Sequence, residues 1–200
     1  MQRVAQVVLM VMVIVIPQIC LAGDACFYGA LQGGYFIPNN DREGMKDFDS
    51  NARFGLAGGF RFTPYTAIEV GVDYGAVRRK NTVYVIDNLT IVTWSIPLTA
   101  KIIVPIVEGL EAYAGFGKTR YDNEFKMKSS SLNINQTADG WCWGYHAVAG
   151  VDFRVDPTWA LGMGLKWEKA RQEIDINNST ATEKINVGGA TFLFTMKYYL

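Results

Sequence analysis

The sequence predicts an all-β fold, an eight-stranded antiparallel transmembrane up-and-down β-barrel preceded by a cleavable signal peptide. The last nine residues, Phe192 to Leu200, alternate strictly between an apolar face and a mixed face, and a period of two indicates a strand. Seven further segments repeat this alternation, and they are separated in turn by long polar stretches and short turns. The apolar segment at the N-terminus indicates that the chain is exported.

The N-terminal segment has the parts of a signal peptide. A short positively charged start precedes the apolar run Val4–Ile16, and residues 20–22 match the small-x-small pattern found before a cleaved bond. We expect cleavage after Ala22, which divides the chain into a signal peptide, 1–22, and a barrel domain, 23–200. An uncleaved anchor is the alternative, but a spanning helix needs ~20 apolar residues and this run is shorter.

The composition fits an exported sheet protein better than a nucleic-acid binder. Lys+Arg and Asp+Glu number 19 each, whereas a nucleic-acid-binding surface is clustered and basic. Half of the residues are hydrophobic, yet the mean hydropathy is only +0.07. Twenty glycines and 13% aromatic residues suit tightly curved strands with aromatic belts.

The lengths of the connecting segments alternate along the chain. Four long loops cover 37–50, 76–88, 118–140 and 172–187, and three short turns cover 63–65, 104–109 and 155–158. This asymmetry is typical of bacterial barrels with short periplasmic turns and long extracellular loops. Pro97 lies inside the fourth strand, where we expect a bulge or an inward kink. The eight predicted strands are Phe27–Phe36, Asn51–Phe62, Thr66–Gly75, Leu89–Ile103, Leu110–Gly117, Trp141–Arg154, Trp159–Arg171 and Gly188–Leu200.

The seventh strand shows most clearly why the apolar face should meet lipid. Its apolar side begins at Trp159 and ends at Trp167, which at ~3.3 Å per residue and a tilt near ~40° spans roughly 20 Å of height. Tryptophans at both edges of an apolar band are typical of the two membrane interfaces. A soluble lipocalin-like barrel, with its apolar face inside, is the structural alternative.

The opposite face of the strands collects charge, and we predict that it lines the barrel interior. An eight-stranded barrel is only wide enough for side chains to fill it, and buried charges must be paired. We therefore expect a salt-bridged structural plug rather than a catalytic carboxylate pair. Its six cations and five anions are Arg53, Arg61, Lys101, Arg154, Lys166, Lys197, Glu69, Asp73, Glu111, Asp152 and Glu168.

The mature chain resembles the small outer-membrane β-barrel superfamily, which includes the OmpA barrel domain, the OmpX/Ail group and the opacity-type surface proteins. The resemblance is most specific in the first strand FYGALQGGYF, the run SIPLTAKI at 95–102, the strand LEAYAGFG and the alternating C-terminal strand. It implies a location in the Gram-negative outer membrane, contact with lipid and lipopolysaccharide, and insertion by the barrel-assembly machinery. Because the barrel is small, we expect a monomer. These are patterns of a fold, and they imply no particular activity.

The first functional hypothesis is a non-enzymatic surface protein with a structural or adhesive role. Loops on a rigid scaffold commonly carry function, and basic side chains near the outer leaflet could pair with lipid phosphates or a host or cell-surface ligand. The alternative is an ordinary solvated loop whose basic side chains bind nothing. The candidate contacts are Arg78, Arg79 and Lys80 in the second loop, and Lys118, Arg120, Lys126 and Lys128 in the third.

Two other hypotheses have less support in the sequence. A lipid A-modifying enzyme of the deacylase type needs a Ser-His-acid set on the outer surface. The chain has one histidine, His146, which by alternation faces inward, and Val148 stands where such a set would need a serine. A small-solute pore is the other alternative, and the predicted plug argues against it. One histidine and two separated cysteines of the mature chain build no zinc site, so we expect no metal or cofactor, and no nucleic acid as partner.

Overall fold

The computed structural model describes residues 26–39, 49–80, 88–129, 134–175 and 182–200. The predicted signal peptide, 1–22, and the central parts of the four long loops lie outside these residues. Among the described residues, no helix is both long and apolar enough to cross a membrane.

The described residues form nine strands and no helix. The strand limits are β1 Cys26–Pro38, β2 Asn51–Thr63, β3 Thr66–Lys80, β4 Asn88–Val107, β5 Leu110–Ser129, β6 Ile134–Arg154, β7 Trp159–Asp175, β8 Thr182–Asn186 and β9 Gly189–Tyr199.

The strands close into an antiparallel barrel. Each of β1 to β7 pairs with the next strand in the chain, and β9 pairs with both β7 and β1, which completes the ring. The short β8 pairs with the far end of β7, and β9 follows it after the two residues Val187 and Gly188. Together β8 and β9 make one interrupted eighth strand, so the prediction of an eight-stranded antiparallel barrel is confirmed.

Short turns gather at one end of the barrel, called here the turn end, and the opposite end is the loop end. Two of the turns occupy only 64–65 and 108–109. At the third turn, the Thr158 hydroxyl and the amides of Thr158 and Trp159 donate to the Asp156 carboxylate at 2.7–2.8 Å. These hydrogen bonds, led by the Thr158 hydroxyl, hold the pKa of Asp156 below its usual range.

Several strands run further toward the loop end than the sequence predicts. β3 continues to Lys80, β5 continues to Ser129, and β6 begins at Ile134. The predicted second and third loops are therefore too long. The apolar alternation stops near Gly117 because the outer face of β5 becomes charged beyond that level. Backbone pairing nevertheless continues, with Ser129 opposite Ile134.

Pro97 interrupts one ladder without adding a residue. The β3–β4 pairs pass from Val70 opposite Leu98 to Asp73 opposite Ser95, and the offset is the same on both sides. Of the predicted bulge or inward kink, the bulge is therefore wrong, and the kink stays a prediction. The proline ring removes a backbone donor. The β3–β4 pairs beside Pro97 are therefore missing, while the register of the two strands stays the same.

The two faces of the wall differ in chemistry as the alternation predicts. The outer face exposes large apolar side chains, with Trp159, Leu161, Met163, Leu165 and Trp167 of β7 all 40–58% exposed. The inner face holds buried charged and polar residues together with some buried apolar ones. An apolar exterior around a charged interior is the inverse of a soluble barrel, and it suits a wall surrounded by lipid.

Candidate functional site

The barrel interior contains the predicted charged residues, arranged in successive groups along its axis. The group nearest the turn end is built on Glu111 of β5. The Arg61 guanidinium donates to both Glu111 carboxylate oxygens, at 3.0 and 3.1 Å, and Arg154 approaches the same carboxylate at 3.6 Å. Arg154 also lies 4.6 Å over the ring of Tyr199. Its side chain is 32% exposed, so this group forms the rim of the interior.

The next group joins two cations to two carboxylates between aromatic rings. The Lys101 ammonium donates to Glu69 at 2.6 Å, and the Tyr28 hydroxyl donates to the same carboxylate at 2.9 Å. Lys197 donates to Asp152 and lies 4.8 Å from the ring centre of Tyr113. All these charges are buried, so each contact offsets part of the hydration free energy that the charged groups lose on burial.

A third group lies toward the loop end and is centred on Glu168. Its carboxylate accepts from Arg53, from the Tyr121 hydroxyl at 2.9 Å, and from Lys166 at 3.0 Å. Lys166 also donates to Asp73 at 2.8 Å. Two cations therefore face two carboxylates, and the group is neutral as a whole.

These groups take in all eleven residues of the predicted interior network. Ten of them are buried and Arg154 is half-buried, and each makes at least one ion pair inside the barrel. The partners come from strands far apart in sequence, as in the pair Arg53 and Glu168. The arrangement ties the wall together across its interior, and we propose its role as a structural plug below.

His146 lies in the middle of the interior. Thr99 Oγ1 is 2.9 Å from its Nε2, and Thr119 Oγ1 is 2.7 Å from its Nδ1. The side chain is 1% exposed and faces away from the outer surface. Both ring nitrogens are thus engaged by threonine hydroxyls, which leaves the ring without a serine or carboxylate partner of the kind that lipid hydrolysis requires.

Above the Glu168 group the interior changes from charged to neutral and then to apolar. Asn123 accepts from the Thr93 hydroxyl at 2.7 Å and donates to Gln172 at 2.5 Å. A buried apolar cluster follows, formed by Phe36, Val77, Ile91 and Phe125. The interior is therefore filled at its loop end as well.

Two small cavities lie beside these groups in the described part of the interior. One cavity of about 20 Å³ lies beside Glu69, Lys101, His146 and Lys166, and another of about 10 Å³ lies beside Phe36 and Arg53. A single water needs on the order of 10–15 Å³. Each cavity is thus large enough for about one water and too small for a solute.

The uncharged members of these groups were not predicted from the sequence. Except for Tyr28, whose strand β1 has no charged residue, each lies on the same face of its strand as a predicted interior charge, so the alternation itself could have found them. They are Tyr28, Thr99, Tyr113, Thr119, Tyr121, Asn123 and Gln172.

The predicted loop contacts lie on strands, so their assignment to loops is wrong. Arg78, Arg79 and Lys80 form the end of β3, and Lys118, Arg120, Lys126 and Lys128 belong to β5. Among those whose side chains the structure describes, Arg78, Lys118, Arg120 and Lys126 are exposed. Their backbone pairing continues past the apolar band because antiparallel pairing does not depend on lipid.

Aromatic rings accompany two of these cations. Lys118 lies 4.6 Å from the ring centre of Trp143, and Arg120 lies 5.4 Å from that of Trp141. Arg120 also pairs with Asp122 at 3.3 Å. Lys126, further toward the loop end, pairs with Glu124 at 3.2 Å. Within the described segments, no group of three or more His, Cys, Asp or Glu side chains is placed to hold a metal ion.

Comparison with known proteins identifies related barrels. The family described as "Outer membrane protein beta-barrel domain" matches residues 8–192. Outer Membrane Protein W of E. coli is 14% identical, aligned over 90% of this chain and 100% of its own, with a TM-score of 0.61. OprG from Pseudomonas aeruginosa is 13% identical, aligned over 89% of this chain and 98% of its own, with a TM-score of 0.59.

The attachment invasion locus protein Ail of Yersinia pestis is 12% identical, aligned over 90% of this chain and 100% of its own, with a TM-score of 0.50. A search of curated proteins found no match. At these identities the solved structures support the fold alone, and they agree with the closed eight-stranded wall.

Proposed function

The chain belongs to the outer membrane protein β-barrel family, and on that premise we propose that it is a non-enzymatic surface protein. In this proposal the barrel is a rigid anchor in the Gram-negative outer membrane, and its loop end faces outward with a structural or adhesive role. The eleven interior charges act as a plug that stiffens the anchor. The partner is a host or cell-surface molecule, and the barrel acts as a monomer.

The observation that carries this proposal is the length of the β5–β6 hairpin. The apolar outer face of β5 ends at Phe116, whereas the strand continues to Ser129. At ~3.3 Å per residue and a tilt near ~40°, this extension rises roughly 30 Å above the apolar band. β6 pairs with it residue by residue from Ile134. A paired ribbon of this height presents its side chains in a fixed arrangement well beyond the lipid headgroups.

The filled interior supports an anchor over a pore. Ion-paired groups, the Asn123 layer and the Phe36 cluster follow one another along the axis, and the cavities between them hold about one water each. A small-solute pore is the alternative function, and it would require these groups to separate. Steady current steps in a planar bilayer would favour the pore.

An enzyme acting on lipid A has less support. His146 is buried between Thr99 and Thr119, on the inner face, whereas a lipid substrate would approach the outer face. A His146→Ala variant is expected to leave the lipid A profile of expressing cells unchanged. Loss of a lipid A modification in that variant would overturn the non-enzymatic proposal.

Ail is by its name an attachment and invasion protein, and it shares the fold of this chain. That likeness makes attachment the first role to test. In the test variant, Asn123 is joined to its paired residue Gly140 through a two-residue turn, which removes the outer part of the hairpin. We expect cells that express this variant to attach to epithelial or matrix-coated surfaces no better than cells without the protein.

The matched control keeps the hairpin at full length and replaces Glu124 and Lys126 by Ser. Both variants must first show the mobility shift of a folded barrel on an unheated gel. Attachment retained by the trimmed variant would overturn the adhesive role. Attachment lost equally in the control would show that this ion pair, rather than the height of the ribbon, makes the contact.

A further inference from the structure

Cations and aromatic rings alternate across three neighbouring strands on the outer wall. Lys118 of β5 is opposite Tyr145 of β6, and Tyr145 is opposite Lys169 of β7. One row further toward the loop end, Arg120 is opposite Trp143, and Arg171 is the next outward residue of β7. All four cations are exposed. We call these four cations, with Trp141, Trp143 and Tyr145, the basic–aromatic patch.

The patch begins directly above the apolar band. The row below it consists of Phe116, Ala147 and Trp167, all outward-facing. Trp143 and Tyr145 are 51% and 56% exposed, and amphipathic rings of this kind sit at headgroup level. The four cations therefore stand at the level where the phosphates of the outer leaflet lie.

The spacing of the patch suits a phosphate held from two sides. Lys118 and Lys169 flank β6, one strand away on either side, so their Cα atoms are about 10 Å apart. The β6–β7 ladder ends at Gly144 and Ala170, so the wall divides just above this row. One anionic group over Tyr145 would meet a lysine from each side. On the outer face of β5, the Asp122 carboxylate already pairs with Arg120 at 3.3 Å.

The other strands do not repeat this arrangement. On β4 the outward residues opposite Lys118 and Arg120 are Leu98 and Ile96, and Trp94 follows one row further toward the loop end. Of the side chains that the structure describes on the outer faces of β1 to β4 and β9, Arg78 alone is charged. The positive charge at the headgroup level is thus concentrated on β5 to β7, which indicates a local site rather than a general ring of cations.

We propose that the basic–aromatic patch binds the phosphate groups of the anionic glycolipid of the outer leaflet. Lys118 and Lys169 pair with one phosphate over Tyr145, and Arg120 and Arg171 extend the site outward, while the acyl chains follow the apolar wall below Phe116. This inference deepens the proposed function and rests on its orientation of the barrel, with the loop end outside. It assigns a role to Lys169 and Arg171, which sequence reasoning left without one.

The test measures binding of lipid A that carries both phosphates to the refolded protein in detergent, by native mass spectrometry. Replacement of Lys118, Arg120, Lys169 and Arg171 by Ala is expected to weaken binding at least about tenfold. A charge-conserving variant, with each Lys changed to Arg and each Arg to Lys, should bind nearly as the parent does. The Arg78→Ala variant is the matched control for an outward cation elsewhere, and it should bind unchanged.

Two further arms identify the source of the anion. Enzymatically dephosphorylated lipid A should bind the parent as weakly as the intact lipid binds the alanine variant, and inorganic phosphate alone should leave bound lipid in place. Equal binding by the parent and the alanine variant would overturn the proposal. Equal binding of the dephosphorylated lipid would overturn it too, because acyl packing would then account for the affinity.

Orientation is measured separately, so that failure of the two proposals can be told apart. A Lys126→Cys variant should react with a membrane-impermeant thiol reagent on intact cells, above the level of the parent chain. No additional labelling would overturn the orientation and with it both proposals. Labelling together with lipid binding that the alanine variant retains would overturn only the phosphate site.

Discussion

Glu168 offers the strongest test of the interior ion-pair network. It is 2% exposed and its carboxylate meets Arg53, Lys166 and Tyr121. The change Glu168→Gln keeps the size of the side chain and removes its charge. Its group, with Arg53, Lys166 and Asp73, then passes from neutral to a net charge of +1. Breaking a buried pair from one side costs about 3–5 kcal/mol.

The expected loss is large enough to measure in urea. With a slope of about 2 kcal/mol per molar, it corresponds to a shift in the unfolding midpoint of roughly 1.5–2.5 M. The assay follows the loss of the folded gel band, or tryptophan fluorescence, in detergent or lipid vesicles. The exposed pair of Glu124 and Lys126 is the control, and Glu124→Gln is expected to cost less than about 1 kcal/mol.

A double-variant cycle separates pairing from packing. Arg53→Met combined with Glu168→Met removes both charges and leaves Lys166 with Asp73, at 2.8 Å. The double variant should therefore lose at least about 2 kcal/mol less than the two single variants lose together. Strictly additive losses, or a Glu168→Gln variant no less stable than the control, would refute the interpretation of these contacts as a coupled network.

Three further predictions concern the wall, its glycines and a turn. Met163→Arg lies near the middle of the apolar face of β7 and should destabilise the barrel by about 2–4 kcal/mol, whereas Trp159→Arg, at the edge of that face, should cost at most about 1 kcal/mol. Equal losses of stability for the two variants, measured by unfolding in lipid vesicles, would contradict a lipid-facing wall. Gly117→Ala should abolish the folded gel band, because an added Cβ would clash with the Leu98 carbonyl oxygen; unchanged folding would contradict this register. Asp156, whose pKa is lowered, should contribute stability that is present above about pH 4 and is lost as the pH falls through its folded pKa. Asp156→Asn should remove that dependence, and identical acid unfolding curves for parent and variant would contradict it.

The alternation of side chains was sufficient to predict the membrane-facing part of the barrel. It placed Trp159 and Trp167 outside and His146 inside, and the structure agrees in each case. A period of two assigns a residue to a face without any knowledge of its neighbours. The same rule, continued past Trp167, would have placed Lys169 and Arg171 on the outer wall.

Two features were not predictable in this way. The partners in the interior depend on the register of strands far apart in sequence, so the pairing of Arg53 with Glu168 has no local signal. The extension of β5 beyond Gly117 carries no apolar outer face, because its outward residues, such as Lys118 and Arg120, are charged and exposed, while inward residues such as Tyr121 stay buried. Lys118 and Arg120 were consequently assigned to a loop, although they lie on a paired strand beside Trp143 and Trp141.

The measurement that tests the central claim most directly is conductance of the purified barrel in a planar bilayer. The protein is first shown to be folded by its mobility shift between unheated and boiled samples. Because ion pairs, the Asn123 layer and the Phe36 cluster fill the interior, we predict a silent bilayer at moderate voltages. Steady, repeated current steps from the folded protein would contradict the account and would indicate a pore.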